Sequence, residues 1–263
     1  MSYETIQVAT DSRGVATLTL NRADKHNAMN SLMMNEIRQA ITELDSDKTV
    51  RAVILAGNGK SFCAGADLGW MRENFSRTRE ERIAESEVLS DMLLEMDKLS
   101  KPLIARVHGQ AYAGGIGLIS VCDIAIGVPE ARFAITETRL GLTPANISAY
   151  LIGRIGPRNA RRLFLNAHFF SGDEALQLGL LDRVVSAEDL DSAVAAEIDE
   201  LLDCAPGAVA MTKALIAYVR EHDAVSVRQH TATLLADCWE GEEAQAGITS
   251  FFDRKPQPWK PGN

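Results

Sequence analysis

The chain is 263 residues long, 46% hydrophobic and 24% charged, enough for one or two ordinary globular domains with a sizeable core. Its 27 basic residues against 36 acidic leave a net charge of −9, which repels phosphate backbones and argues against nucleic-acid binding, although a local basic patch can still serve an anionic ligand. No apolar run reaches the ~20 residues of a membrane helix and no leader-like segment precedes the first strand signal, so a cytoplasmic protein with no membrane partner is expected.

In chain order, "GVATLTLNR" alternates and predicts a strand. "NSLMMNEIRQAITEL" then places Met34, Ile37, Ile41 and Leu44 at helical spacing behind an Asn30 or Ser31 cap. "RAVILAG" predicts a buried strand ending in glycine. Residues 79 to 98 predict a charged amphipathic helix with Ile83, Val88, Met92 and Leu99 among its apolar positions, and "KPLIARV" a strand after proline. The glycine cluster "AGGIG", "DIAIGV" and "ARFAI" follow. Beyond about residue 145 strands thin out; "SGDEALQLG" opens with Ser171 three residues before Glu174, a capping box, and helical patterns run to about residue 252. The pattern predicts an α/β body with a helical C-terminal part, divided at 1–195 and 196–263.

Four scattered cysteines, Cys63, Cys122, Cys204 and Cys238, show no C-x-x-C pair and no histidine at ligand spacing. Buried thiols are expected, with neither a disulfide framework nor a metal site. "ILAGNGKSF" contains G-K-S, but a phosphate loop requires glycine where Ile54 stands. A dinucleotide fingerprint beginning at Gly115 meets Ser120 in place of its third glycine or alanine, and no G-x-S-x-G nucleophile elbow occurs.

There remain two glycine-rich segments, "FCAGADLGWM" after one buried strand and "HGQAYAGGIGLISVCD" after the next. Glycines at a helix entry serve either close packing of two segments or the presentation of unpaired amides to a ligand oxygen. Consecutive strands tend to be neighbours, so both segments can converge on one crevice and offer two donors to a developing oxyanion.

"NRADKHNAMN", "SFCAGADLGWM", "KPLIARVHGQAYAGGIGLISVCDIAI", "RFAITETRLGLTP" and "ITSFFDRKPQPW" stand in the order and spacing of the enoyl-CoA hydratase/isomerase (crotonase) superfamily, which the chain resembles over essentially its whole length. The resemblance implies a crotonase-like spiral of strand-strand-helix units, with a helical C-terminal region that forms a homotrimer or a dimer of trimers. It implies an acyl-CoA thioester substrate and no separate cofactor, because CoA arrives with the substrate. The amides of Ala66 and Gly114 fall where the family builds its oxyanion hole. Ala64, Asp67, Leu68 and the adjoining Gly69 match the loop that recognises CoA, and Lys25, with Ala28 nearby, matches a segment that brings a cation to the CoA phosphates. Arg254 and Lys255 resemble C-terminal basic residues that can reach a CoA. The bland alternatives are solvated surface charges for the three basic residues and a helix cap for Asp67.

Hydratases of the family typically use two glutamates. One matches Glu137, implied to be the acid and base; the other falls on Gly117, which has no side chain. Ala145 stands where branches with a second carboxylate carry aspartate. The resemblance as a whole implies hydration of the 2,3 double bond, with a 3-enoyl to 2-enoyl isomerisation by Glu137 alone as the alternative. "AGADLGWM", "GGIGLISVCDIAIG" and "GLTPANIS" resemble bacterial 3-methylglutaconyl-CoA hydratases of leucine breakdown. That substrate carries a distal carboxylate, for which Arg139 is a candidate partner, a surface or structural role being the alternative. Gly117 is expected to leave room for a bulky or branched acyl group.

Overall fold

The computed structural model describes residues 3–260. A hairpin of β1 (Ile6–Thr10) and β2 (Val15–Leu20) leads into α1 (Ser31–Ser46). Three rounds of a repeating unit follow: β3 (Ala52–Gly57), β4 (Ser61–Cys63), α2 (Leu68–Ser76) and α3 (Arg79–Asp97); β5 (Leu103–Val107), β6 (Gln110–Tyr112) and α4 (Gly114–Ser120); β7 (Ile124–Gly127), β8 (Arg132–Ala134), a 3-10 turn over Glu137–Leu140 and α5 (Ala145–Asn166). The chain closes with β9 (Phe170–Ser171), α6 (Gly172–Leu178), β10 (Arg183–Val184), α7 (Leu190–Leu202), α8 (Pro206–Glu221), α9 (Ala224–Glu240) and α10 (Glu242–Asp253).

Each round sends its first strand to one sheet and its second to another. The larger sheet runs β1-β2-β3-β5-β7-β10 and the smaller β4-β6-β8-β9. Apart from the β1–β2 hairpin and the β8–β9 pair, neighbours are parallel. Parallel neighbours bring the same ends of successive strands together, so the turns that leave β4 and β6 lie side by side. This is the expected mixed α/β spiral.

The local signals behave as predicted. Asn30 caps α1 by accepting from the Met33 N–H, and Met33, Met34, Ile37, Ala40, Ile41 and Leu44 bury one face. Ser171 and Glu174 close the capping box of α6. In α3 the buried stripe is Met92, Leu93 and Met96, while Ile83 lies on the exposed half. Strands β1, β4, β6, β9 and β10 went unpredicted. Four of the five have three residues or fewer and pair with partners remote in sequence, while β1 sits at a sheet edge.

The 195–196 division passes through α7, whose Leu190, Val194, Ile198 and Leu202 are buried in the body. Helices α8, α9 and α10, by contrast, bury no residue completely within one chain. Among the described residues, no single helix is long and apolar enough to cross a membrane. The expectation of buried thiols holds for Cys63 and Cys122 but not for Cys204, which is exposed, or Cys238, which is half-buried.

Candidate active site

Two backbone turns build one end of a cavity of about 410 Å³. The turn after β4 is stitched to the segment before α1: Ala64 N–H donates to His26 O at 3.0 Å, Met29 N–H to Gly65 O at 2.7 Å, and Asp67 N–H to Met29 O at 2.8 Å. In this bridge the N–H of Ala66 points away from Met29, and among the described residues no carbonyl accepts it. Gly65 adopts φ +90°, and a side chain there would meet Tyr112 O at 2.9 Å. Only glycine fits such an approach.

The turn after β6 pivots on Ala113, which holds φ +48° and ψ −117°, a conformation that an L-residue adopts at a cost of roughly 1–3 kcal/mol. Its N–H donates to Ala134 O at 3.0 Å. Gly114 then opens α4, so its N–H has no helical acceptor. The glycines of this cluster divide between the two readings of the sequence. A Cβ at Gly115 would lie 2.3 Å from Cys63 O, which is close packing of α4 on β4; one at Gly114 would meet only the mobile end of Met29, and Gly114 lines the cavity.

Glu137 lies across the same cavity, at the start of the 3-10 turn. Its Oε2 is buried with no hydrogen-bond partner, and burial raises the carboxyl pKa above the ordinary 4.5, opposed only by its own backbone N–H. The other polar lining groups are Thr136, Thr143, Asn146 and the indole of Trp70; among the described residues no Lys, Arg or His lines the cavity. Asn146 is already tied down, donating to Ser86 O and Ser90 Oγ at 2.8 Å each. Among the described residues, no group of three His, Cys, Asp or Glu side chains is placed to hold a metal ion.

Of the sequence-predicted residues, Ala64, Ala66, Leu68, Gly114 and Glu137 share this cavity, and Ala145 also lines it. Asp67 does not. It caps α2, accepting from Gly69 N–H at 2.7 Å and Trp70 N–H at 3.2 Å, and pairs with Arg22 at 3.0 Å, which is the structural alternative. Ala28 is buried and Lys25 exposed at the end of a 3-10 turn. Arg254 and Lys255 follow α10, with Lys255 paired to Asp253 at 2.9 Å, and nothing within one chain brings them to the cavity.

Two expectations are corrected. Arg139 does not face the cavity: its Nη2 donates to Ala167 O at 2.8 Å and its guanidinium lies over the Phe169 ring, 4.9 Å from the centroid. In a turn with three residues per revolution, a residue two positions past Glu137 points to another side. Nor does Gly117 leave space for substrate. A Cβ there would meet Ile147 Cγ2 at 2.4 Å, so Ile147 of α5 fills the volume. Sequence reasoning also missed the apolar lining supplied by Met29, Met34, Trp70, Met71, Leu140 and Ile147. Of these, all but Met34 lay within a motif already singled out, but none was marked as a wall of the site.

The family described as enoyl-CoA hydratase/isomerase matches residues 10–262. The short-chain-enoyl-CoA hydratase of Clostridium acetobutylicum is 33% identical over 244 residues, covering 92% of each chain. The crotonyl-CoA hydratase of Syntrophomonas wolfei is 30% identical over 257 residues, covering 97% of each. The crystal structure of an enoyl-CoA hydratase from Shewanella pealeana superposes with a TM-score of 0.94 at 35% identity, over 97% of this chain and 96% of that one. With its strand-strand-helix spiral and a match over nearly its full length, the chain belongs to the enoyl-CoA hydratase/isomerase family.

Proposed function

We propose that this protein is a hydro-lyase that adds water across the 2,3 double bond of a short, neutral enoyl-CoA thioester. One observation carries the reading: a single cavity holds a buried, unpaired carboxylate oxygen of Glu137 and two unclaimed backbone donors, Ala66 N–H and Gly114 N–H. The thioester carbonyl oxygen accepts from both amides, which stabilise the charge that gathers there as oxygen adds at C3. Glu137 takes the proton of the attacking water and then delivers one to C2, giving the 3-hydroxyacyl thioester. A carboxyl whose pKa lies above the ordinary range suits both transfers, and a positioned base is worth ~10²- to 10⁴-fold. The electron pairs close with water alone, so the reaction calls for no cofactor beyond the CoA that the substrate carries.

The absence of a cationic side chain from the lining favours a neutral acyl group. The distal carboxylate of 3-methylglutaconyl-CoA, the narrower reading drawn from motif resemblance, would lose its hydration here with no counter-charge. Lys25, Arg254 and Lys255 are proposed contacts for the CoA phosphates. The exposed Ile216, Val225, Leu235, Trp239, Phe251 and Phe252 of α8 to α10 support self-association, with a trimer or a dimer of trimers as the proposed assembly.

Mass spectrometry over crotonyl-CoA, a longer 2-enoyl-CoA, a 3-enoyl-CoA and 3-methylglutaconyl-CoA tests the reading. Gain of one water on crotonyl-CoA is expected. Unchanged mass with altered retention on the 3-enoyl thioester alone would replace hydration by isomerisation, and preference for the carboxylated substrate would overturn the neutral-acyl reading.

A further inference from the structure

One wall of the cavity is α2, from which Leu68, Trp70 and Met71 face the enclosed space. This helix buries none of its nine residues, and Leu68 and Phe75 are 75% and 84% exposed. Apolar burial therefore contributes little to holding it in place. Polar contacts do so instead, and those around Trp70 meet on one atom. Glu85 Oε2, projecting from α3, accepts from Trp70 Nε1 at 2.9 Å and from Ser31 Oγ at 2.7 Å, and it lies 3.2 Å from Arg77 Nη1. Ser31 Oγ accepts a second bond from the same indole N–H at 3.0 Å. One carboxylate oxygen thus joins the first residue of α1, the first turn of α2 and the turn between α2 and α3.

Charge-assisted bonds of this kind are short and directional, and an indole has only two side-chain torsions to fix. Holding its N–H therefore holds the whole ring. Burial opposes the charge on Glu85, but the hydrogen bonds from Ser31 and Trp70, together with Arg77, keep its pKa below the ordinary carboxylate value, so the acceptor stays ionised at neutral pH.

We propose that Glu85 is a positioning residue that sets the size of acyl group this cavity accepts, by holding the Trp70 indole as a fixed wall. The inference rests on the acyl-CoA reading of the cavity. Releasing the indole N–H lets α2 move outward, so longer chains gain and short ones lose their close packing, each mismatched methylene being worth about tenfold or more.

The test compares the intact enzyme with Glu85→Ala, Glu85→Gln and Trp70→Phe. The readouts are calorimetric affinities for butyryl-, hexanoyl- and octanoyl-CoA and kcat/KM for the matching 2-enoyl thioesters. Saturated thioesters need no chemistry, so a wild-type protein that binds them without turnover would defeat the hydratase reading and leave this comparison intact. Glu85→Ala should raise the octanoyl-to-butyryl affinity ratio about tenfold or more, with kcat for crotonyl-CoA changed less than its KM. Trp70→Phe keeps a ring but lacks the N–H, and should shift the ratio in the same direction. Glu85→Gln retains an acceptor oxygen and should restore much of the wild-type profile. If Glu85→Ala fails to fold, Trp70→Phe decides. An unchanged ratio in folded Trp70→Phe, or an equal loss on all chain lengths, overturns the proposal.

Discussion

Ile147 Cγ2 stands 2.4 Å from the point where a Cβ on Gly117 would lie, with Ile147 Cβ at 3.2 Å and Leu93 Cδ1 at 3.7 Å. The helix that contains Gly117 is thus pressed against α5 at a residue that also lines the cavity. Replacing an interior helical glycine by alanine ordinarily gains ~0.5–1 kcal/mol. Overpacking a filled core costs ~1–3 kcal/mol, so the clash should win. Gly117→Ala is expected to lower stability in chemical denaturation, and Ile147→Ala in the same chain should recover part of the loss relative to Ile147→Ala alone. A Gly117→Ala protein as stable as the parent would mean that Ile147 does not fill this space.

Glu137→Gln keeps the shape of the side chain and removes its basicity. Turnover should fall ~10²- to 10⁴-fold while acyl-CoA binding survives. In the parent, kcat/KM should decline on the acid side through a pKa above the ordinary 4.5, because only the ionised carboxylate accepts the proton of water.

Stability should move the other way. The folded pKa of Glu137 is raised above the unfolded one, so its contribution is fully present below the unfolded pKa and is lost as pH rises through the folded value. Glu137→Gln removes that loss. Its melting temperature should match the parent near about pH 4 and exceed it near about pH 8. A gain that is constant with pH would show that ionisation of this carboxyl is not what burial opposes.

Gly114 donates through backbone, so the informative substitution removes the N–H rather than a side chain. Gly114→Pro does so at the first position of α4, where proline is best tolerated in a helix, and turnover should drop at least ~10²-fold. Gly114→Ala keeps the N–H and displaces only the flexible end of Met29, so it should lose less. Circular dichroism is to verify that each variant folds. Equal activities for the two folded variants would remove this amide from the mechanism.

Thiol chemistry checks the packing independently. Burial pushes Cys63 and Cys122 up to about 12, so neither forms a thiolate at neutral pH. A disulfide reagent should titrate Cys204 and Cys238 in the native protein and reach the other two only after denaturation. Modification of Cys63 in the folded state, mapped by peptide mass, would contradict the tight seat of Gly115 against it.

What this sequence determined by itself was whatever near neighbours along the chain decide. The Asn30 cap, the Ser171–Glu174 capping box and the apolar spacing of α1 lie within a few residues of the groups they satisfy. The motifs around Ala66, Gly114 and Glu137 were legible for a related reason: short turns after strands carry their chemistry in a few consecutive residues. Tertiary structure alone decided which of these turns meet and what stands behind them. The three-residue strands β4 and β6 pair with each other across 49 positions, Ser61 with Gln110, and β6 also pairs with β8. Arg139 lies two residues from Glu137 in sequence, yet its partners are Ala167 and Phe169. Gly117 reads as an opening until Ile147, 30 residues later, fills it. The side chains that give the cavity its walls come from five separate segments of the chain. Because the packing of such surfaces depends on distances between elements, which no local period or spacing encodes, the size and polarity of the acyl site emerge only when the spiral closes.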